Sequence, residues 1–367
     1  MKEKSIVQTG KIAWRWMLIA GPCSAESEEQ VMQTAGSLAA IDPEIIFRAG
    51  IWKPRTRPGA FEGKGKIALP WMQRVRNETG LRTATEVANS AHVEECLKFG
   101  IDILWIGART TGNPFSVQEI ADALRGTGIP VLVKNPVSPD IQLWIGAIER
   151  IRRAGITNVT AIHRGFHSYE QSIFRNDPKW EIPIEMKRLF PELKIISDPS
   201  HICGCTELLP FISQKALDMD MHGLMIETHH DPPSALSDAR QQLTPAQLKS
   251  MLSKLILRQQ NLENKRSIPE LELLRNKIDV ADDELMEVLK NRMQLAEKIG
   301  EFKRRNKITA FQPGRWDKVL HERIRSSRIA GLEENFIRQL YGIIHEESIR
   351  KQSAVMNEEL QYEKNEL

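Results

Sequence analysis

The chain has 367 residues, of which 41% are hydrophobic and 27% are charged, and its formal net charge is +3. So small a charge does not predict a nucleic-acid-binding protein, and any strongly cationic site has to be local. Arg15 interrupts the apolar N-terminal stretch, no stretch is long enough to span a bilayer, and four cysteines are too few for a disulfide scaffold, so we expect a cytoplasmic enzyme rather than a secreted or membrane protein.

Up to about residue 258 the sequence alternates short apolar runs with longer amphipathic stretches. The runs are apolar on both faces, which is typical of buried parallel strands. They cover residues 16–24, 45–50, 81–87, 103–109, 131–136, 159–165, 194–201 and 223–230. Eight such units in about 250 residues predict a (β/α)8 barrel. An open doubly wound sheet is the alternative, but no GxGxxG motif follows the first run.

The active site of such a barrel lies at the C-terminal ends of its strands. Every predicted strand end carries a charged, thiol or imidazole side chain: Cys23, Arg48 with Lys53, Glu86, Arg109, Lys134, Arg164, His201 and Glu227. One charge at a strand end often only faces solvent. Because every predicted strand carries such a side chain at its C-terminal end, we expect this rim of the barrel to be the functional site.

Part of this rim is a mixed soft and hard ligand set, completed by a carboxylate that follows the last strand: Cys23, His201, Glu227 and Asp238. Thiolate, imidazole and carboxylate together suit a divalent transition ion such as Mn, Fe, Co or Zn. Two alternatives stay open. The Cys-x-Cys pair at Cys203 and Cys205 could bind a metal next to His201, and His229 or His230 could replace one of the chosen ligands.

The remaining rim residues are mostly cations: Arg48, Lys53, Arg109, Lys134 and Arg164. Five cations on one rim would repel one another unless an anion of several charges lay among them. The site is therefore predicted to bind a small substrate that carries phosphate and carboxylate, beside a metal that can polarise a carbonyl. The loop at 51–66, "IWKPRTRPGAFEGKGK", would form its cationic wall.

The composition changes at 261–270, where a polar segment precedes a region without β-rich runs. We predict a barrel domain at 1–260, a linker at 261–268 and an all-α three-helix domain at 269–367. Its first helix follows an apolar 3–4 spacing from Leu271 to Phe302, and the third covers 332–352. So long a helix is rarely stable alone, and we expect this domain to form a homodimer.

Two cations interrupt the apolar stripe of the long helix. Arg292 stands where the spacing calls for an apolar residue, and Lys303, three turns later, shares its face. Cations on a packed face need an anion, either a ligand or a carboxylate of the partner chain. From the residues alone, a structural ion pair is the commoner explanation.

Several barrel motifs carry a resemblance to a known family. "GPCSAES", "KPRT", "IGART", "VKNP", "HRG", "SDPSH" and "IETHHDP" resemble 3-deoxy-D-arabino-heptulosonate 7-phosphate (DAHP) synthase of type Iβ. The resemblance implies a metal-dependent condensation of phosphoenolpyruvate with erythrose 4-phosphate, the first step of the shikimate pathway of aromatic amino acid and chorismate biosynthesis. The implied metal ligands are Cys23, His201, Glu227 and Asp238.

The resemblance also implies roles for the cations. Arg109 and Arg164 would hold the phosphoenolpyruvate phosphate. The carboxylate and the reacting centre would be served by Arg48, Lys53 and Lys134. Arg55 and Thr56 would bind the erythrose phosphate, and we expect Glu86 and Lys53 to handle protons.

The related 3-deoxy-D-manno-octulosonate 8-phosphate synthase is the alternative for the barrel. That relative has an asparagine within the motif that corresponds to "KPRT", where this chain has Pro54 and Arg55. An arginine can reach the phosphate of a shorter aldose, which favours the four-carbon substrate.

The helical region resembles the all-helical chorismate mutase, an intertwined dimer, through "LRNKID", "NRMQLAEKIGEFK", "QPGRWDKVL" and "EESIRKQ". The resemblance implies that chorismate's carboxylates and ether oxygen are held by Arg275, Arg292, Lys303, Arg315, Ser348 and Gln352, with Arg275 reaching the partner's site. Trp316 stands where some members have a glutamate, and Gln312 is one candidate to take over that role. We therefore expect a bifunctional enzyme whose synthase is inhibited by prephenate, with a synthase carrying a non-catalytic regulatory domain as the alternative.

Overall fold

The computed structural model describes residues 16–53, 59–169, 172–258 and 268–357. The chain divides into two compact units, residues 1–260 and 261–367. Each helix within the described ranges is too short or too polar to cross a membrane.

The first unit is a closed barrel of eight parallel strands, each paired with its neighbours in chain order. The strands are β1 (Met17–Gly21), β2 (Ile46–Arg48), β3 (Thr83–Val87), β4 (Ile103–Ile106), β5 (Val131–Lys134), β6 (Val159–His163), β7 (Lys194–Ser197) and β8 (Gly223–Glu227). The pairing of β1 with β8 closes the barrel, with Gly21 opposite Glu227. The barrel predicted from the sequence is confirmed, and the open sheet is excluded.

Helices connect the strands and cover the outside of the barrel. They are α1 (Glu28–Ala39), α2 (Leu69–Thr79), α3 (Ser90–Lys98), α4 (Ala108–Thr111), α5 (Pro114–Ala123), α6 (Ile141–Arg153), α7 (Glu181–Leu189), α8 (Pro199–Cys203), α9 (Leu209–Asp218) and α10 (Pro245–Leu252). Short polar side chains cap several of them: Asn89, Asn113 and Asp140 each accept hydrogen bonds from the first turn that follows.

The interior of the barrel holds its own apolar cluster: Ile19, Ile46, Ala84, Ile103, Trp105, Leu132, Ile162, Ile196 and Met225. Side chains two positions apart on a strand point to the same face. Two residues after a member of this cluster, the next inward-facing side chain can therefore be charged. Arg48 follows Ile46 in this way, and Lys134 follows Leu132. The apolar layer fills the barrel floor and leaves its C-terminal rim to polar side chains.

The second unit consists of α11 (Ile268–Arg305), α12 (Pro313–Ile329) and α13 (Glu334–Met356). The predicted long helix is present, and it begins at Ile268, inside the segment predicted as a linker. The α11 and α13 helices pack closely at Gly300, where an added Cβ would lie 2.9 Å from Cα of Gln352. A larger residue at this position would force the two helices apart.

Candidate active sites

A cluster of potential metal ligands lies at the barrel rim. Cys23 follows β1, Glu227 ends β8 and Asp238 lies in the loop after β8, and their ligand atoms all lie within 4.8 Å of one another. Asp238 has a left-handed backbone, with φ of 49°, immediately before a short 3-10 turn. Sγ of Cys23 lies 3.2 Å from Oδ2 of Asp238. It is the one cluster of three or more such ligands within the described ranges.

His201, the fourth predicted ligand, stands at the edge of this cluster. Its Nε2 lies 3.7 Å from Oε1 of Glu227, and its Nδ1 lies 3.0 Å from Oδ1 of Asp198. Asp198 also accepts a hydrogen bond from Nζ of Lys134 at 2.7 Å. Burial alone would raise the pKa of Asp198, but His201 and Lys134 hold that pKa well below its usual range. An ionised Asp198 fixes Nδ1 of His201 as a donor and leaves Nε2 free to bind a metal.

The donor set fits a divalent transition ion. Oε1 of Glu227 is fully buried, pairs with Arg48 at 3.3 Å, and accepts no hydrogen bond from a described residue. Its Oε2 accepts a hydrogen bond from Nε2 of Gln241 at 2.6 Å. Burial would raise the pKa of Glu227, but His201 and Arg48 bring it below its ordinary value. An ionised, buried carboxylate oxygen with unused acceptor capacity, next to a thiol and a second carboxylate, suits such an ion.

Lys53 lies against the predicted thiol ligand. Its Nζ is 3.1 Å from Sγ of Cys23 and 3.0 Å from the carbonyl oxygen of the same residue. Burial raises the pKa of the Cys23 thiol to about 12, and Glu227 adds to this rise. Burial would lower the pKa of Lys53, but Cys23 and Glu227 bring it above its ordinary value. Lys53 is therefore a cation next to the cluster.

Arg48 at the end of β2 and Lys134 at the end of β5 share one aromatic floor. The guanidinium carbon of Arg48 is 4.8 Å from the ring centroid of Trp105, and Nζ of Lys134 is 5.9 Å from it. Trp105 donates a hydrogen bond from Nε1 to Oε2 of Glu86 at 3.1 Å. The ring thus contacts both cations and holds the Glu86 carboxylate in place.

Arg164 and Arg109 form a second cationic group on this rim. Arg164 donates a hydrogen bond to Oδ1 of Asn176 at 2.8 Å. Burial lowers the pKa of Arg164 to about 10; Asp198 opposes this effect, and Arg175 and Arg109 add to it. Arg109 lies at the start of α4 and lines a cavity of about 510 Å³. Guanidinium groups this close to one another favour binding of an anion between them.

The structure brings together Cys23, Glu227 and Asp238, and it places His201 beside them through Glu227. Cys203, part of the rival metal site, is buried in the apolar core instead. His229 and His230 stack on each other with ring centroids 4.6 Å apart and lie outside the cluster. The predicted sugar-phosphate residues, Arg55 and Thr56, lie outside the described residues.

Sequence analysis missed Asp198 and Gln241. Asp198 was detectable, because it stands two positions after the inward-facing Ile196 and continues its register towards the rim. Gln241 ends the short 3-10 turn that follows Asp238, and nothing in the local sequence pattern points to its contact with Glu227.

The helical unit has a separate cavity of about 430 Å³ between its three helices. Of the six predicted chorismate-binding residues, those that line it are Arg292, Lys303, Arg315, Ser348 and Gln352. Arg292 donates hydrogen bonds to the hydroxyl of Ser348 and to the carbonyl oxygen of Ile344, which ties α11 to α13. Burial lowers the pKa of Lys303, whose Nζ donates a hydrogen bond to the carbonyl oxygen of Ala310 at 2.6 Å.

Arg275 does not line this cavity and pairs with Glu272 on the exposed surface of α11. The helix places it roughly 25 Å from Arg292 along the axis. Trp316 and His345 both line this cavity and stack on each other, with ring centroids 4.1 Å apart and ring planes at 12°. Gln312 also lines the cavity.

Comparison with protein families gives two matches. The profile of the DAHP synthetase I family matches residues 2–263, and that of chorismate mutase type II matches residues 274–353. Together the two matches cover both compact units.

Individual relatives resemble the barrel unit. Phospho-2-dehydro-3-deoxyheptonate aldolase of Thermotoga maritima is 31% identical over 226 residues, which are 62% of this chain and 64% of that protein. A crystal structure of the enzyme of that name from the same organism has a TM-score of 0.58 at 26% identity and covers 69% of this chain and 71% of its own. The 2-dehydro-3-deoxyphosphooctonate aldolase of Variovorax paradoxus is 27% identical over 264 residues, covering 66% of this chain and 89% of its own length.

Proposed function

Because the chain belongs to the DAHP synthetase I family, we propose that its barrel condenses phosphoenolpyruvate with erythrose 4-phosphate to form DAHP and inorganic phosphate. The observation that carries this proposal is the cluster of buried Cys23 and Glu227 with half-buried Asp238 beside the cationic rim. Such a site pairs a place for a divalent ion with a place for a polyanionic substrate. We also propose that the helical unit rearranges chorismate to prephenate.

Cys23, Glu227, Asp238 and Nε2 of His201 would hold the ion, and Mn²⁺ is our first choice among Mn, Fe, Co and Zn. When bound, it would supply Lewis-acid polarisation of the sugar aldehyde. Gln241 and Asp198 support this site, because each fixes one of the proposed ligands by a hydrogen bond.

The cations would position phosphoenolpyruvate. Arg109 and Arg164 would bind its phosphate, while Arg48, Lys53 and Lys134 would bind its carboxylate and stabilise charge at the reacting centre. C3 of phosphoenolpyruvate then attacks the aldehyde carbon, and positive charge develops at C2. Water adds to C2, and phosphate leaves as its C–O bond breaks.

Protons in this reaction would pass through Lys53 and Glu86. Lys53 stays protonated beside the cluster, so it is suited to donate a proton to the new alkoxide. Glu86 is held by Trp105 at the same rim and is suited to accept a proton from the attacking water. Arg55 and Thr56 would bind the erythrose phosphate.

The alternative for the barrel is the octulosonate synthase reaction, which uses the five-carbon arabinose 5-phosphate. One experiment separates the two: consumption of phosphoenolpyruvate by metal-stripped protein with either sugar, with and without added Mn²⁺. We expect Mn²⁺-dependent consumption with erythrose 4-phosphate alone. Preference for arabinose 5-phosphate would mean the octulosonate reaction, and no consumption with either sugar would overturn the synthase proposal.

The cavity of the helical unit supports the mutase proposal, because Arg292, Lys303 and Arg315 surround one apolar space. Chorismate carries two carboxylates that such cations would bind in a compact conformation, and the rearrangement needs no nucleophile. Loss of the chorismate absorbance on addition of the intact chain tests this activity. A chain that binds chorismate without converting it would have a regulatory helical domain instead.

We further propose that the chain forms a homodimer through α11, with Arg275 reaching the partner's cavity. Much of the apolar surface of this helix is exposed, including Ile278 at 61% and Val288 at 63%. Prephenate bound in the cavity would inhibit the synthase. Synthase rate and affinity measured with increasing prephenate test this regulation, and unchanged values would exclude it. The cytoplasmic location stays a prediction.

A further inference from the structure

Trp316 stands where some chorismate mutases have a glutamate, and the structure shows what faces it. His345 of α13 stacks on the indole ring with centroids 4.1 Å apart. Phe311 lies on another side of the imidazole, with centroids 5.9 Å apart. The two aromatic rings restrict the orientation of the imidazole, so its nitrogens have fixed directions.

One nitrogen of this imidazole has no partner within the described part of the chain. Nε2 of His345 is buried and makes no hydrogen bond, and the same holds for Oε1 of Gln352 in the same cavity. Buried polar atoms are rarely left unpaired, because an unmade hydrogen bond costs about 1–3 kcal/mol of stability. Both residues line the same cavity, so these two unpaired atoms beside it indicate polar groups of a ligand.

The imidazole is suited to an uncharged group. Burial lowers the pKa of His345, and Arg292 and Lys303 lower it further. A neutral imidazole both donates and accepts a hydrogen bond, so it can bind a hydroxyl in either direction. The carboxylates and the ether oxygen of chorismate are assigned to the other lining residues, which leaves its ring hydroxyl without a partner.

We propose that His345 is a ligand-binding residue of the helical cavity and that its Nε2 hydrogen-bonds the ring hydroxyl of the bound dicarboxylate. This inference rests on the proposed mutase function. It assigns the recognition of the hydroxyl to α13 in a chain that has tryptophan at position 316. Trp316 then has a positioning role, because its ring holds the imidazole flat.

The test compares two ligands by calorimetry on the intact chain: prephenate, and the same dicarboxylate with hydrogen in place of the ring hydroxyl. We expect the unmodified chain to bind prephenate about tenfold more tightly, the effect of one hydrogen bond. His345→Phe keeps a ring against Trp316 and removes the nitrogen, so it should bind both ligands equally. Its affinity for the deoxy ligand should change by less than about twofold.

Two control variants sharpen this result. His321 is exposed on α12, outside the cavity, and His321→Phe should keep the tenfold preference. Gln312→Leu should also keep the tenfold preference for prephenate. If this variant lost the preference, the hydroxyl contact would have to be assigned to Gln312 instead of His345. Thermal unfolding checks that the variants fold, and His345→Leu gives the same comparison if phenylalanine is not accommodated.

The outcomes separate this inference from the proposed function. A preference that persists in His345→Phe overturns the assignment of His345 while chorismate conversion stands. An unmodified chain that binds both ligands equally also overturns it. A chain that neither binds these ligands nor converts chorismate overturns the mutase proposal and this inference together.

Discussion

Asp198 accepts a hydrogen bond from Nδ1 of His201, which lies 3.0 Å from Oδ1 and 2.9 Å from Oδ2 of this carboxylate. Asp198 is fully buried and also pairs with Lys134 at 2.7 Å. One carboxylate therefore orients a proposed metal ligand, His201, and neutralises a cation proposed to bind substrate, Lys134. The proposed metal site and the proposed anion site of the rim are linked through this residue.

Asp198→Asn should weaken Mn²⁺ binding by about 10–100-fold, because His201 loses the carboxylate that orients it. Titration of the metal-stripped chain with Mn²⁺, followed by calorimetry, measures this change. Asp102→Asn is the matched control, since Asp102 binds Thr83 and pairs with Arg76 at the start of β3, away from the rim. Equal losses of affinity in both variants would contradict a specific role for Asp198.

Removal of the metal should separate the two proposed activities. A chelator should abolish consumption of phosphoenolpyruvate, because the ligand cluster belongs to the barrel rim. Conversion of chorismate should be unchanged, since no metal ligand cluster was found among the described residues of the helical unit. Both rates are measured on the same chelated sample before and after Mn²⁺ is restored. Loss of both activities on chelation would argue against two independent sites.

Lys303→Gln should lower the kcat of chorismate conversion by about 100-fold or more, because it removes a positive charge at the breaking ether bond. Steady-state kinetics with chorismate provide the measurement. Lys298 is exposed on the same helix and does not line the cavity, so Lys298→Gln should be unaffected. Near-normal activity of Lys303→Gln would remove this lysine from the proposed site.

Ile278→Glu should convert the proposed dimer to a monomer. The side chain of Ile278 is 61% exposed on α11, and a charge there would be desolvated in an interface. Analytical ultracentrifugation of the intact chain gives the mass. Lys277→Glu, which introduces the same charge at a neighbouring polar position, should leave the dimer intact. A monomeric unmodified chain would exclude the dimer outright.

The stability of the barrel should fall as the pH is lowered, in part through His163. Burial lowers the pKa of this imidazole to about 4; a contact of Nε2 with the carbonyl oxygen of Pro178 at 2.6 Å partly opposes the shift. The unfolded chain binds the proton near its ordinary pKa of about 6.5, so protonation favours unfolding. Through His163, the free energy of unfolding should fall by about 2 kcal/mol as the pH is lowered from about 7 to about 5.

Chemical denaturation at both pH values measures this loss. His163→Leu cannot take up the proton and should lose correspondingly less stability over the same range. Identical pH profiles of the two proteins would show that His163 does not contribute.

The barrel was predictable from the sequence because each buried strand is a short apolar run that ends at a chemically distinct residue. Glu227 illustrates this: it is the last residue of β8 and lies at the rim, as expected. The stack of Trp316 on His345 was not predictable, because these residues lie on α12 and α13 and meet only through helix packing. The contact of Lys53 with Cys23 was not predictable either, because Lys53 lies in the loop after β2, whose path the strand pattern does not determine.

Gly300 fixes the distance between α11 and α13, whereas other walls of the helical cavity can be altered by substitution. Because α11 and α13 meet there without a side chain between them, the width at this crossing is set by two backbones. Trp316 and His345, by contrast, form walls made of side chains, which can be exchanged without moving a helix. Variants that admit a bulkier dicarboxylate should therefore arise at the aromatic walls and not at the helix crossing.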